Sequence, residues 1–172
     1  MQIAHRRAGL LGAVLAALAV AAPAAAETYS VSGESITVDP DAGTARMTGG
    51  LLGDFKLVAY HQLAEPPNVR ARGRERFRGC VDRERDGACT GDPSGTLRFR
   101  FLYWAQVEGE SLIWGSCWHP VVRGTGAFRG ARGVLTMVDT PQPDGSVRTD
   151  YIGTITTAGG ATTRSAPTAG CA

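Results

Sequence analysis

Five arginines, Arg70, Arg72, Arg74, Arg76 and Arg78, occupy every second position of Val69-Arg-Ala-Arg-Gly-Arg-Glu-Arg-Phe-Arg78. Alternate residues of a β-strand point to one face, so on a strand all five guanidinium groups share a side. With Arg83, Arg85, Arg98 and Arg100, the span 70–100 holds nine cations against five acids. Such a stripe suits a polyanion: an anionic envelope polymer, a phospholipid head-group layer or a sulfated glycan. The plainer reading is a solvated face whose cations discourage strand-to-strand aggregation. The opposite face would carry Ala71, Gly73, Glu75 and Phe77. A carboxylate among apolar neighbours is disfavoured in its charged form, and Glu75 beside His119 or Tyr103 could do acid–base work. A structural salt bridge to an inward-facing arginine is the alternative for Glu75. Asp82, Asp86 and Asp92 miss the spacing of a calcium loop.

Aromatic residues form a second cluster. In the run Thr96–Val107, Leu97, Phe99, Phe101, Tyr103, Ala105 and Val107 fall on one face, and Arg98, Arg100, Leu102, Trp104 and Gln106 on the other. Trp114 and Trp118 follow on the returning strand, so all three tryptophans lie on one hairpin. Tyr103, Trp104, Trp114 and Trp118 are therefore candidates to line a ligand cavity, or else to fill a barrel interior or its end. Trp114-Gly-Ser-Cys-Trp118 matches the papain-type signature C-G-S-C-W at four of five positions. That chemistry needs a histidine and an asparagine far downstream, whereas His119 is the last histidine, so the match fails. Gly124-Thr-Gly-Ala-Phe-Arg-Gly-Ala-Arg-Gly133 likewise fails as a phosphate loop, because its spacing is not G-x-G-x-x-G and a strand follows it.

These residues need strands to position them. Glycine numbers 23 in 172 residues, about twice the usual share, and no long window has apolar residues at helical spacing. Short alternating runs bounded by Gly, Pro and Asp predict eight strands. They cover Tyr29–Val38, Thr44–Thr48, Asp54–Leu63, Val69–Cys80, Thr96–Val107, Ser111–His119, Val134–Asp139 and Val147–Thr157. Eight antiparallel strands with hairpin-length connections predict a closed β-barrel, with a two-sheet β-sandwich as the alternative.

The first 26 residues combine Arg6 and Arg7, an apolar run from Ala8 to Ala22 and Ala24-Ala-Ala26, the pattern of a secretory signal peptide. The expected mature domain runs from 27 to 172, secreted or periplasmic, with no transmembrane segment left after cleavage. Net charge is +2 for the whole chain and 0 once Arg6 and Arg7 are removed, which with export argues against a nucleic-acid partner. Cys80, Cys89, Cys117 and Cys171 are an even set in an exported chain, which implies two disulfides with three possible connectivities. The polar, turn-rich interval 81–88 favours Cys80–Cys89, leaving Cys117–Cys171. Their spacing does not suit zinc, and neither a metal nor a cofactor is expected.

The run Val121-Val-Arg-Gly-Thr-Gly-Ala-Phe-Arg-Gly-Ala-Arg-Gly133 resembles the G-G-T-G-x-F-x-x-A-x-G signature of the dirigent and allene oxide cyclase families, with Arg123 where the first glycine usually stands. It is also similar to exported bacterial proteins that carry the signature after a Cys-x-His-Pro step, here Cys117-Trp-His-Pro120. The resemblance implies an eight-stranded antiparallel barrel with an apolar central cavity, and gives Gly124, Gly126, Phe128, Gly130 and Gly133 a structural role. In plant members the cavity orients a radical coupling or cyclises an unstable epoxide. The family's acidic catalytic residues have no counterpart that can be placed on this chain, and a fold does not carry an activity with it.

Three functions follow as expectations. The first is binding of a small apolar or aromatic ligand in the barrel. The second is a cyclase or isomerase with Glu75 and His119 in acid–base roles. The third is an envelope protein that meets a polyanion through Arg70 to Arg78.

Overall fold

Alternating apolar and polar residues favour a pleated surface buried on one side, and Gly, Pro and Asp favour the turns between such surfaces. In the computed structural model, which describes residues 25–158, the chain forms eight strands. They are β1 (Glu27–Asp39), β2 (Thr44–Gly49), β3 (Leu51–Ala64), β4 (Asn68–Val81), β5 (Ser94–Glu108), β6 (Ser111–Gly126), β7 (Arg132–Pro141) and β8 (Val147–Thr157). Each pairs antiparallel with the next, and β8 pairs back with β1, so the sheet closes into a barrel with no free edge. The two-sheet alternative is thereby excluded. Among the described residues no helix is long and apolar enough to cross a membrane.

Seven of the eight strands run longer than the sequence pattern predicts, and the extensions of β3 and β6 have clear causes. β3 starts at Leu51 because the chain reverses at Gly49, whose φ of 89° is open to glycine. β6 continues through Pro120 to Gly126. Proline has no N–H to give the ladder, and the β5–β6 pairing is interrupted there, between Phe99↔Val121 and Leu102↔Trp118.

The two ends of the barrel differ. One carries the β2–β3, β4–β5 and β6–β7 connections and is packed solid. Leu51, Phe77, Leu97, Phe128 and Ile155 are all fully buried there, each stabilising the fold by about 1.5–3 kcal/mol relative to exposure. Phe128 drops into this core from the glycine-rich signature. A Cβ at Gly124 would come within 1.7 Å of the Phe128 carbonyl oxygen, so only glycine lets the turn fold over so closely. Tyr151 ties β8 to the β2–β3 corner: its hydroxyl accepts from Leu51 N at 2.7 Å and donates to Thr48 O at 2.9 Å.

At the same end the Cys80–Cys89 disulfide joins β4 to the loop that follows it. Within that loop the buried Asp82 carboxylate accepts from the backbone N–H groups of Asp86 and Gly87. Cys117 faces the barrel interior and is buried. Cys171, its expected partner, lies outside the described residues, as does all but the last two residues of the expected signal peptide.

Candidate ligand site in the barrel

The other end of the barrel is hollow. A cavity of about 360 Å³ reaches from Pro40 and Gly43 in the β1–β2 turn down to Glu75 and His119. It lies at the small end of the range for ligand pockets, about 300–1,000 Å³, and equals the liquid volume of about a dozen waters at ~30 Å³ each.

Glu75 and His119 form its floor. β4 and β6 flank β5, and the inward alternation of each strand turns these two side chains towards one another. His119 Nε2 lies 2.9 Å from Glu75 Oε2, with the side chains 2% and 13% exposed. Three phenylalanines enclose the imidazole: the centroids of Phe55, Phe99 and Phe101 stand 6.2, 6.4 and 6.0 Å from its own. The pair is in contact without meeting hydrogen-bond geometry. Glu75 Oε2 and His119 Nδ1 are buried atoms with no hydrogen-bond partner among the described residues. Such atoms are uncommon, since burial without a partner costs free energy. Both residues line the cavity.

A second polar group sits nearer the mouth. Asp139 Oδ1 accepts from the Thr149 hydroxyl at 2.7 Å, and its carboxylate lies beside the Tyr103 phenol. Burial, and then Asp139, push the Tyr103 phenol well above its ordinary range, so it stays protonated as a donor. Gly115 makes room for this meeting, because a Cβ there would stand 2.6 Å from the Tyr103 hydroxyl and 2.9 Å from Asp139 Oδ2. Leu57, Phe101 and Met137 supply apolar wall between floor and mouth. Among the described residues no three His, Cys, Asp or Glu side chains gather as a metal site.

Of the four aromatic residues expected around a cavity, only Tyr103 lines it. Trp104, Trp114 and Trp118 lie on the outer face. Tyr103 and Trp104 are neighbours on one strand, so the period of two sends them to opposite sides. Trp104 packs under the Arg70 guanidinium, 5.6 Å from the ring centroid, and Trp114 Nε1 donates to Gln106 Oε1 at 3.1 Å. Trp118 borders a separate outer groove with Arg72, Arg74 and Arg100. All five arginines from Arg70 to Arg78 are exposed on the outside of β4.

Asp139, Thr149 and Phe55 complete the site without having been singled out in the sequence. Asp139 had a visible signal: in Leu135-Thr-Met-Val-Asp139 the acid continues the buried alternation of Leu135 and Met137. Comparison of the chain with family models, with curated proteins and with solved structures returned no match.

Proposed function

We propose that the protein binds a small, mainly apolar or aromatic molecule in the hollow end of the barrel, with Glu75 and His119 meeting one polar group of the ligand. The observation that carries this reading is the 360 Å³ cavity with largely apolar walls and the buried Glu75–His119 pair at its floor. A ligand whose polar group reaches Glu75 or His119 supplies hydrogen bonding that the two side chains do not give one another. The resemblance to dirigent and allene oxide cyclase barrels supports the same reading, as does their shared architecture. Export through the N-terminal signal peptide belongs to it as well, supported by a disulfide of the kind that persists in oxidising compartments.

The test uses N-phenyl-1-naphthylamine, a neutral dye whose emission rises in apolar surroundings. One saturable site is expected, lost when Ala45→Phe or Met137→Trp fills the cavity. Undiminished dye binding in both filled variants would place the ligand elsewhere.

The Glu75–His119 contact favours a second reading, in which the cavity is catalytic. Isomerisation and cyclisation are redox-neutral and need only proton movement. A carboxylate at Glu75 can take a proton from the substrate and an imidazolium at His119 can return one. Glu75→Gln keeps the shape of the site but removes the base. On this reading it abolishes turnover of any substrate found by screening while the dye still binds.

A further inference from the structure

The outer face of β3–β6 is built against its own charge. Register places Lys56 opposite Arg76, Arg76 opposite Arg98, and Arg98 opposite Arg123, so four cations lie in one row across four strands. Strands stand ~4.8 Å apart, which makes the row ~14 Å long. Directly above it Arg74 faces Arg100. Like charges opposite one another destabilise a sheet. None of these six cations, nor Arg70, Arg72 or Arg78, has a carboxylate within 4.0 Å among the described residues. The ion pairs formed there use other cations: Arg46 with Asp54, Arg83 with Asp92, and Arg148 with Glu34 and Asp150. Over the whole chain 18 cations meet 16 acids, so placement and not net charge makes this face positive.

We infer that this face docks a linear phosphate polymer. Shape, side-chain chemistry and the state of the tryptophans point to that occupant. Arg70 to Arg78 form a row ~26 Å long at ~3.3 Å per residue, and a groove of about 950 Å³ lies beside it between Arg72, Arg74, Arg100, Leu102, Trp118 and Pro120. A line with a trough fits an extended chain better than a flat bilayer. Eight of the nine cations are arginine, whose planar fork pairs bidentately with phosphate oxygens. Trp104 lies under the Arg70 guanidinium, and the indole N–H of the exposed Trp114 donates to Gln106, so both rings are engaged by neighbours on the same face. Register sets a carboxylate on this face, Asp54 opposite Arg78, and the anion supplies the countercharge that the row from Lys56 to Arg123 lacks.

Fluorescein-labelled inorganic polyphosphate, followed by anisotropy with the secreted protein across a salt series, tests this. Binding is expected to weaken as salt rises. Arg76→Gln/Arg98→Gln is expected to weaken it at least tenfold and to lower the slope of log Kd against log salt by about 0.7 for each phosphate no longer neutralised. The charge-matched Arg132→Gln/Arg148→Gln is expected to change affinity less than twofold. Thermal melting should show the Arg76/Arg98 variant at least as stable as the parent, and Arg74→Gln/Arg100→Gln provides the same readout if it is not. Equal weakening by the charge-matched pair would overturn the proposal, as would unchanged affinity in both ladder variants. Tighter binding to dextran sulfate or to phosphatidylglycerol vesicles at equal anion concentration would also overturn it, by assigning the face to a glycan or a membrane. So would salt-sensitive self-association that polyphosphate fails to displace.

Discussion

His119 Nε2 stands 2.9 Å from Glu75 Oε2 although the two residues belong to strands that do not touch, with β5 lying between β4 and β6. The contact crosses the barrel interior above Phe99, which faces Glu75 on one side and Val121 on the other. Packing alone would favour apolar residues at such a place, and the polar pair is held there without full hydrogen bonding.

Removing one member of the pair should cost more than removing both. Glu75→Leu leaves a buried imidazole facing hydrocarbon and is expected to lose about 1–3 kcal/mol in urea unfolding. The double variant Glu75→Leu/His119→Phe is expected to recover most of that loss. Measured as a double-mutant cycle, strict additivity of the two single losses would show that the pair is not coupled.

Tyr151 gives the fold an alkaline limit. Burial pushes its phenol from 10.0 up to about 12. The folded chain then holds the proton more tightly than the unfolded chain. That contribution is full below pH 10 and is lost as pH rises from 10 to 12. Tyr151→Phe should cost about 1–3 kcal/mol at neutral pH, since Leu51 N and Thr48 O lose their partner. It should also flatten part of the fall above pH 10, with Tyr103, Tyr60 and Tyr29, whose phenols burial also raises, contributing to the rest. An unaltered alkaline profile in the variant would count against this role.

The disulfide belongs to the packed end and should matter for stability alone. Cys80 and Cys89 are 9 residues apart, and closing a loop of that size contributes about 3 kcal/mol by the chain-entropy account. Cys80→Ala/Cys89→Ala should lower the denaturant midpoint accordingly and leave affinity for the dye within twofold. Loss of dye binding in a folded variant would mean that the two ends are coupled.

Relieving the cation row should stabilise the sheet. Arg98→Glu sets a carboxylate between Arg76 and Arg123 and is expected to raise the melting temperature by about 2 °C at low salt. The gain should vanish in 1 M salt, where charges more than ~3 Å apart are screened. A lower melting temperature at low salt would contradict the register described.

Much of this was legible because a strand has period two and a barrel has one inside. Leu97, Phe99, Phe101 and Tyr103 had to share a face, and the arginines of β4 had to take the face opposite Glu75. The same rule set Trp104 on the face opposite Tyr103, yet its aromatic character made it a cavity candidate, and that character is a poor guide to burial when a guanidinium can cover the ring. The meeting of Glu75 with His119 was suggested by residue type. Its distance was not, because it depends on the stagger of β4 against β6 across β5 and on the interrupted pairing near Pro120. Asp139 went unnoticed since an acid at a strand end usually reads as part of the turn.

The position of the three tryptophans decides how this molecule can be watched. With none of them inside the barrel, its ultraviolet emission is a reporter of the arginine face and is nearly blind to the cavity. Trp104 under Arg70 and Trp118 at the groove sense whatever settles on the outside. A ligand entering the hollow end meets tyrosine and phenylalanine. The two proposals can therefore be tested through separate optical channels, the protein's own indoles for the exterior and an added dye for the interior.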